Sequence, residues 1–479
     1  MVTSDRTRWF ALALLCAVQF MVVLDIAIVN VALPSIQDDL GFSQENLQWV
    51  LSAYALVFGG FLLLGGRTAD LVGRRRVFVG GTILFTLGSF LCGIAWTEAS
   101  LIGARAIQGL GAAAITPAAL AILITTFREG RERNIALGAW GAVGGVGAAA
   151  GVLLGGVLTS SLSWEWIFFV NIPVGVAALA LVPVLLSESL DRHGQGFDAL
   201  GAILVTSGLS TLVLGVTKGQ DWGWSSAAAL GVFAASAALL LAFVVWELRV
   251  KDPLMPISIF RLQTLSAANV AGFALGTVLF AMFLMLTLYM QQVLGYSAMQ
   301  TGVAYLAVAG TAVIWANVAA AAVNRVGVKP ALVFGMSLLT VGLVYFTQVS
   351  VGGSYWTDLL PGFLIIGLGM PFAFVPISIA AVAGTKPGEA GLASGLINTS
   401  QQIGGAVGIA ILSTVAVSTT NDAVASGTQA PLALTEGFQA AFWVGAGVAL
   451  AGVLVSIFLV RGRDLQQEAP AIEPALEAA

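Results

Sequence analysis

Residues 21–34 read MVVLDIAIVNVALP, a run suited to lipid except for the carboxylate of Asp25 near its middle. Holding an ionised side chain in hydrocarbon costs roughly 2.5–3.5 kcal/mol even on the gentler insertion scales. Such a residue needs a partner, a water-filled cavity or a task. A second charge, Arg105, lies in another apolar run, and no other clear ionisable side chain falls within a predicted span. From the rise of a helix, Asp25 sits about 10 Å below the outer end of its span and Arg105 about 6–10 Å below the end of its own. The two share a depth, and an ion pair relieves the cost of both. Two readings stay open: a static buried bridge, or a carboxylate that takes and releases a proton while Arg105, when paired, favours the ionised form.

The elements that position these charges follow from composition. Of 479 residues 58% are hydrophobic and 9% charged, with mean hydropathy +0.96. Soluble domains carry about 25% charged residues, so a soluble fold is excluded. Apolar runs of about 20 residues recur along the chain, each able to cross the bilayer as a helix, and the alternating segments of a transmembrane barrel are absent. The expected fold is an all-α integral membrane protein. Fourteen transmembrane helices are placed near 9–32, 48–66, 77–96, 101–124, 135–158, 166–187, 198–217, 226–247, 265–290, 301–323, 331–350, 359–383, 391–417 and 438–460. The first run lacks a small-residue cleavage site and reads as helix 1 rather than a signal peptide.

Basic residues test that count, because cytoplasmic loops collect them. With the N-terminus inside, 18 of the 20 Lys and Arg residues fall on the inner side. The inner clusters include Arg74, Arg75 and Arg76, then Arg128, Arg131 and Arg133, then Lys386, and finally Arg461 and Arg463. Only Lys218 falls in an outer loop, and Arg105 within a span. Both termini are therefore expected in the cytoplasm. The polar stretch 418–437 reads as the longest outer connection, and the Glu-, Ala- and Pro-rich tail 464–479 as disordered.

A repeat divides the chain. DLVGRRR from Asp70 matches NRVGVKP from Asn324, and GLGAAAITP from Gly109 matches GLGMPFAFVP from Gly367. Two pseudo-symmetric six-helix halves, 1–190 and 256–463, thus flank two inserted linker helices in 191–255. At the position matching Arg105 the second copy has Phe363, so the architecture does not itself require an arginine there.

With these motifs in view, the chain resembles the fourteen-span drug:proton antiporter branch of the major facilitator superfamily. The resemblance rests on LDIAIVNVALPSI in helix 1, GRTADLVGRRR (Gly66 to Arg76) after helix 2 and RAIQGLGAA (Arg105 to Ala113) in helix 4. It extends to GGVGAAAGVLLGG (Gly144 to Gly156) in helix 5 and WEWIFFVNIPVG (Trp164 to Gly175) at the start of helix 6. It implies an exporter of hydrophobic or amphipathic small molecules, such as drugs or antibiotics, that works by alternating access in exchange for protons. Asp25 and Arg105 would couple the proton. Gly66, Asp70, Gly73, Arg74 and Arg75 would latch the halves in one state, although positive-inside charge accounts for part of that cluster. Gly144, Gly147, Gly151 and Gly155 would let helix 5 approach a neighbour closely, which plain tight packing also explains. The chain departs from the branch at Leu71, where a basic residue is usual, at Val152 in place of proline, and at Glu165 in place of arginine.

A substrate cavity needs polar and aromatic groups among apolar walls. Asn30, Tyr54, Gln108, Asn269, Tyr289, Asn317, Asn398, Gln401 and Gln402 are candidates, each of which could instead bond to a neighbouring helix. Trp49, Trp96, Trp164 and Trp222 lie near span ends as expected of interface anchors. Cys16 and Cys92 read as small apolar side chains and His193 as a solvated loop residue. No cofactor, metal or nucleic acid is implied. The expected partners are a small-molecule substrate, protons and the lipid bilayer; the chain is expected to work as a monomer and to be a transporter, not an enzyme. No lysine follows a glycine as a phosphate-binding G-x-x-x-x-G-K-[ST] loop requires, which argues against an ATP-driven pump. Proton-coupled uptake of a small metabolite and a non-transporting receptor remain as alternatives. Arginine outnumbers lysine sixteen to four, which suggests a GC-rich bacterial genome, and the expected location of this multi-pass chain is the bacterial inner membrane.

Overall fold

The computed structural model describes residues 5–127, 131–188, 198–251, 253–382 and 390–460. Arg128, Arg192, His193, Lys386, Arg461, Arg463 and the tail 464–479 lie outside the described residues. The first group of helices comprises α1 (Asp5–Leu40), α2 (Gln44–Leu47), α3 (Trp49–Val72), α4 (Arg74–Gly93), α5 (Glu98–Thr126), α6 (Arg131–Ser161), α7 (Trp166–Phe169) and α8 (Asn171–Leu185). A hairpin of α9 (Ala199–Trp222) and α10 (Ala227–Glu247) follows. The second group comprises α11 (Gln263–Leu288), α12 (Ala298–Val326), α13 (Val328–Phe346), α14 (Leu360–Val382), α15 (Ala390–Ala425) and α16 (Ala430–Phe458), with single π turns at Tyr289–Val293 and Tyr355–Leu359. No strand occurs among the described residues.

Twelve of these helices are long and apolar enough to cross a membrane. The remaining two expected spans fall on α3 and α6, where the described apolar stretches are shorter, Trp49–Leu62 and Ala150–Ser161. One expected loop is helix instead. Residues 418–437 are mostly the last turns of α15 and the first of α16, leaving only 426–429 between them. Polarity there marks helices that project past the apolar layer. The break comes at Gly427, whose φ of 90° suits glycine, and Pro431 opens α16.

The two matching loops share one geometry. Gly73 (φ 120°) joins α3 to α4, and Gly327 (φ 91°) joins α12 to α13. Each is both the last cap of one helix and the first of the next, in a conformation costly for residues with a Cβ. The glycines of the two GLG motifs repeat this correspondence. A methyl at Gly109 would meet the Tyr54 carbonyl at 2.6 Å, and one at Gly367 would meet the Val308 carbonyl at 2.6 Å.

Within the first group α5 packs on α3 and α4, α6 on α1, and α8 on α4 and α1. Within the second, α15 packs on α11, α14 on α12 and α13, and α16 on α13 and α15. The groups meet where α6 lies on α12 and α3 on α15, and the α9–α10 hairpin rests on α3 and α15. Three hydrogen bonds between the groups are described, all at the end of the bundle opposite the start of α1. Gln291 Nε2 donates to the Val31 carbonyl (2.8 Å), Gln292 Nε2 to Gln37 Oε1 (3.1 Å), and the Met299 amide to Ser160 Oγ (3.0 Å). Toward the other end, every residue of α12 from Val313 to Val318 is exposed. A helix packed along one side would bury a stripe there, so this part of α12 stands clear of neighbours.

Candidate functional site

Asp25 lies on α1 beside the face that packs on α6. That contact is close because α6 presents glycines every four residues, one side of a helix. A methyl at Gly147 would meet Val23 Cγ1 at 3.0 Å, at Gly151 the Leu24 carbonyl at 2.7 Å, and at Gly155 the Ile28 carbonyl at 2.7 Å. The next position, Gly156, faces the Ala298 carbonyl of α12 at 2.8 Å instead. The glycine face of α6 therefore grips α1 at the level of Asp25 and touches the second group from its neighbouring side.

The Asp25 carboxylate is fully buried and Arg105 is 1% exposed. Arg105 Nη1 lies 2.6 Å from Asp25 Oδ2. The same nitrogen donates to Gln108 Oε1 at 2.6 Å, and Arg105 Nε donates to the Val50 carbonyl at 2.9 Å. Asp25 Oδ1 accepts from Gln108 Nε2 at 2.7 Å and from Asn171 Nδ2 at 2.8 Å. Gln108 Nε2 also donates to Ser89 Oγ at 2.8 Å. The guanidinium carbon sits 4.3 Å from the Tyr54 ring centroid and 5.7 Å from that of Phe168, so aromatic faces stand in for water around the cation. Both carboxylate oxygens thus receive donors, the arrangement that makes an ionised group tolerable away from water.

These groups come from separate elements: Asp25 from α1, Tyr54 and Val50 from α3, Ser89 from α4, Arg105 and Gln108 from α5, Phe168 from α7 and Asn171 from α8. Sliding α5 or α8 against α1 alters the donor set around the carboxylate, while α3, α4 and α7 hold the donors from behind.

Of the residues expected to line a cavity, Tyr54 and Gln108 belong to this cluster. Tyr54 keeps a buried hydroxyl with no hydrogen-bond partner. Tyr289 lies elsewhere, its hydroxyl donating to the Ser350 carbonyl at 2.6 Å and its ring edge-on to Phe438. Asn269 Oδ1 accepts from Ser400 Oγ at 2.8 Å and ties α11 to α15. Asn30 Nδ2 donates to the Ile26 carbonyl of its own helix, while its Oδ1 is buried without a partner, as is Gln402 Oε1. Gln401 is half-buried, and Asn317 and Asn398 are exposed. Trp164 is no surface anchor: it is buried, and its indole donates to Asp39 Oδ2 at 2.9 Å.

Around the glycine joint at 73, Asp70 lies in the last turn of α3 and Gly66 one turn earlier. The first turn of α4 holds the carboxylate of Glu188. The Arg75 amide donates to Glu188 Oε1 at 3.1 Å, and Arg76 Nε lies 3.8 Å from Oε2. A methyl at Gly73 would meet that carboxylate at 2.7 Å. Negative charge at a helix N-terminus is favourable. Arg74 opens α4 beside it, and Gly144 lies on α6.

Sequence reasoning missed Asn171, Ser89 and Phe168. Asn171 and Phe168 lie inside WEWIFFVNIPVG, and the signal was an amide in an apolar run. In the second helix group Phe363, the match to Arg105, packs among Tyr305 (5.4 Å), Phe346 (5.6 Å) and Tyr355 (6.4 Å). An aromatic cluster replaces the charged one.

A family model described as Major Facilitator Superfamily matches residues 15–409. The puromycin resistance protein of Streptomyces alboniger is 38% identical over 458 residues, 95% of this chain and 91% of its own length. The cephamycin export protein of Amycolatopsis lactamdurans is 40% identical over 88% of this chain and 87% of its own. The multidrug resistance protein Stp of Mycobacterium tuberculosis is 34% identical over 86% and 76%. Among solved structures, the POT family transporter PepTSo superposes with a TM-score of 0.71 at 14% identity, covering 97% of this chain and 99% of that one.

Proposed function

Because the chain belongs to the major facilitator superfamily, we propose that it exports hydrophobic or amphipathic small molecules, antibiotics among them, in exchange for protons. Export rather than uptake is supported by the relatives, whose names describe antibiotic resistance and export. The observation that carries the coupling is the construction of the Asp25 site. A fully buried carboxylate receives hydrogen bonds from Arg105, Gln108 and Asn171, donors that stand on two other helices.

When α5 or α8 moves against α1, the carboxylate loses donors while still excluded from water, and binding a proton then becomes the lower-cost state. Return of Arg105 expels the proton. Substrate occupancy and proton occupancy thereby exclude each other through one set of helix contacts. Of the substrate candidates, Asn30 and Gln402 have buried oxygens open to a ligand donor. Asn317, Asn398 and Gln401 are solvent-accessible to differing degrees, while Tyr289 and Asn269 serve as helix ties.

Fourteen spans in two six-helix halves, 1–190 and 256–463, with 191–255 inserted, fit the repeated glycine joints at 73 and 327. Both termini lie in the cytoplasm of a bacterial cell, the protein sits in the inner membrane, and the monomer suffices. Closure at the Val31–Gln291 end with α12 free toward the other end supports a state open to the cytoplasm. Gly73, Arg75 and the Glu188 carboxylate form the joint about which α3 and α4 move together. Expression in an efflux-deficient host tests the function directly: accumulation of a hydrophobic antibiotic should fall, and collapse of the proton gradient should restore it. Unchanged accumulation across a broad antibiotic panel would refute export.

A further inference from the structure

The inserted hairpin carries a second buried charged cluster, remote in sequence from Asp25 and made of two carboxyl groups. Asp198 immediately precedes α9, and Glu247 is the last residue of α10. Each is 4% exposed. Asp198 Oδ1 accepts from the Gly201 amide at 2.8 Å and from Trp246 Nε1 at 2.7 Å. Glu247 Oε2 accepts from the Met255 amide at 3.0 Å, on the segment leading into the second helix group. The other two oxygens, Asp198 Oδ2 and Glu247 Oε1, are buried and receive no hydrogen bond. Both turn toward the same side of Gly201, where a methyl would meet them at 2.4 and 2.6 Å.

Among the described residues, no cation forms an ion pair with either carboxyl group. Arg249 and Lys251, just after α10, are exposed. The other charged residues on elements packed against α9 are Arg67 and Asp70 of α3 and, at the opposite end of the bundle, Lys218 and Asp221 of α9 itself and Asp422 of α15. Two buried carboxylates whose open oxygens face one another cannot both ionise at acceptable cost, whereas one proton between them satisfies both.

We propose that Asp198 and Glu247 form a second proton-binding site, with a single proton shared between Glu247 Oε1 and Asp198 Oδ2. The proton clasps the start of α9 to the end of α10 and, through Met255, holds the segment that enters the second helix group. When the proton leaves, two anions face each other and the clasp opens. The site responds to pH on the side of the membrane from which α9 rises, independently of Asp25.

Infrared difference spectra of the purified full-length protein in lipid nanodiscs, taken between neutral and alkaline pH, test this. Wild-type protein should lose a protonated-carboxyl C=O band as pH rises, and D25N should lose the same band. In E247Q and in D198N the band should be absent at the start. Each amide can still bridge the two side chains, so both variants should fold. The midpoint of thermal unfolding should fall with alkalinity in wild-type protein and stay flat in E247Q. A band that survives in both amide variants, or equal pH slopes of unfolding in wild type and E247Q, would overturn the proposal.

Discussion

Arg105 Nη1 and Asp25 Oδ2 lie 2.6 Å apart with neither side chain reaching solvent. Breaking a buried pair from one side leaves an uncompensated charge, at a cost of about 3–5 kcal/mol. Arg105→Ala should therefore leave Asp25 permanently protonated and abolish gradient-driven efflux, more completely than loss of the carboxylate does. Arg105→Lys restores charge without the planar fork that also serves Val50 and Gln108, and partial rescue is expected. Efflux rates in inverted vesicles measure both, and full activity in Arg105→Ala would refute the pairing role.

Asn171 is a positioning residue for the carboxylate. Asn171→Leu removes one donor to Asp25 Oδ1, and a hydrogen bond to a charged group contributes about 1.5–3 kcal/mol. Efflux should fall and its pH profile should shift, with expression and membrane insertion unchanged. A variant with altered rate but wild-type pH profile would make Asn171 merely a packing residue.

Gly151 meets α1 at the Leu24 carbonyl. Gly151→Leu forces the helices apart, and overpacking of this kind costs typically about 1–3 kcal/mol. Transport should be abolished while the protein still inserts. Normal transport in the variant would show that the close approach is dispensable.

The joint at Gly73 makes a comparable demand. Gly73→Ala combines a φ of 120° with a clash against Glu188, and left-handed backbone alone costs an L-residue roughly 1–2 kcal/mol. Slower turnover at unchanged substrate affinity is expected. Gly327→Ala, at a joint with no comparable carboxylate, should be milder, and equal defects would contradict the assignment.

Orientation is tested by cysteine labelling of intact cells. A cysteine at Asp422 should react with an impermeant probe and one at Arg325 should not. Both side chains are exposed, so accessibility reports sidedness alone.

The charged pair was legible because a carboxylate and a guanidinium in lipid-like runs are conspicuous, and helix rise placed them at one depth. Asn171 and Ser89 were not, since an uncharged polar residue in a span has its own helix carbonyls to bond, as Asn30 and Thr82 do. Tyr289 and Trp164 carried the same ambiguity between cavity, interface and tie, which only the positions of Ser350 and Asp39 resolve. The repeat was readable at its glycines because backbone geometry admits little else at 73 and 327. Stretch 418–437 misled because polar composition marks exposure, and helices that outrun the membrane are exposed too.

The most direct measurement is proton release on adding substrate to purified protein in weakly buffered solution. Wild-type protein should release protons when a transported antibiotic binds. Asp25→Asn, fixed in the equivalent of the protonated form, should bind the antibiotic and release none. Release from Asp25→Asn equal to wild type, together with pumping against a gradient, would make the Asp25–Arg105 pair a structural bridge and contradict the account.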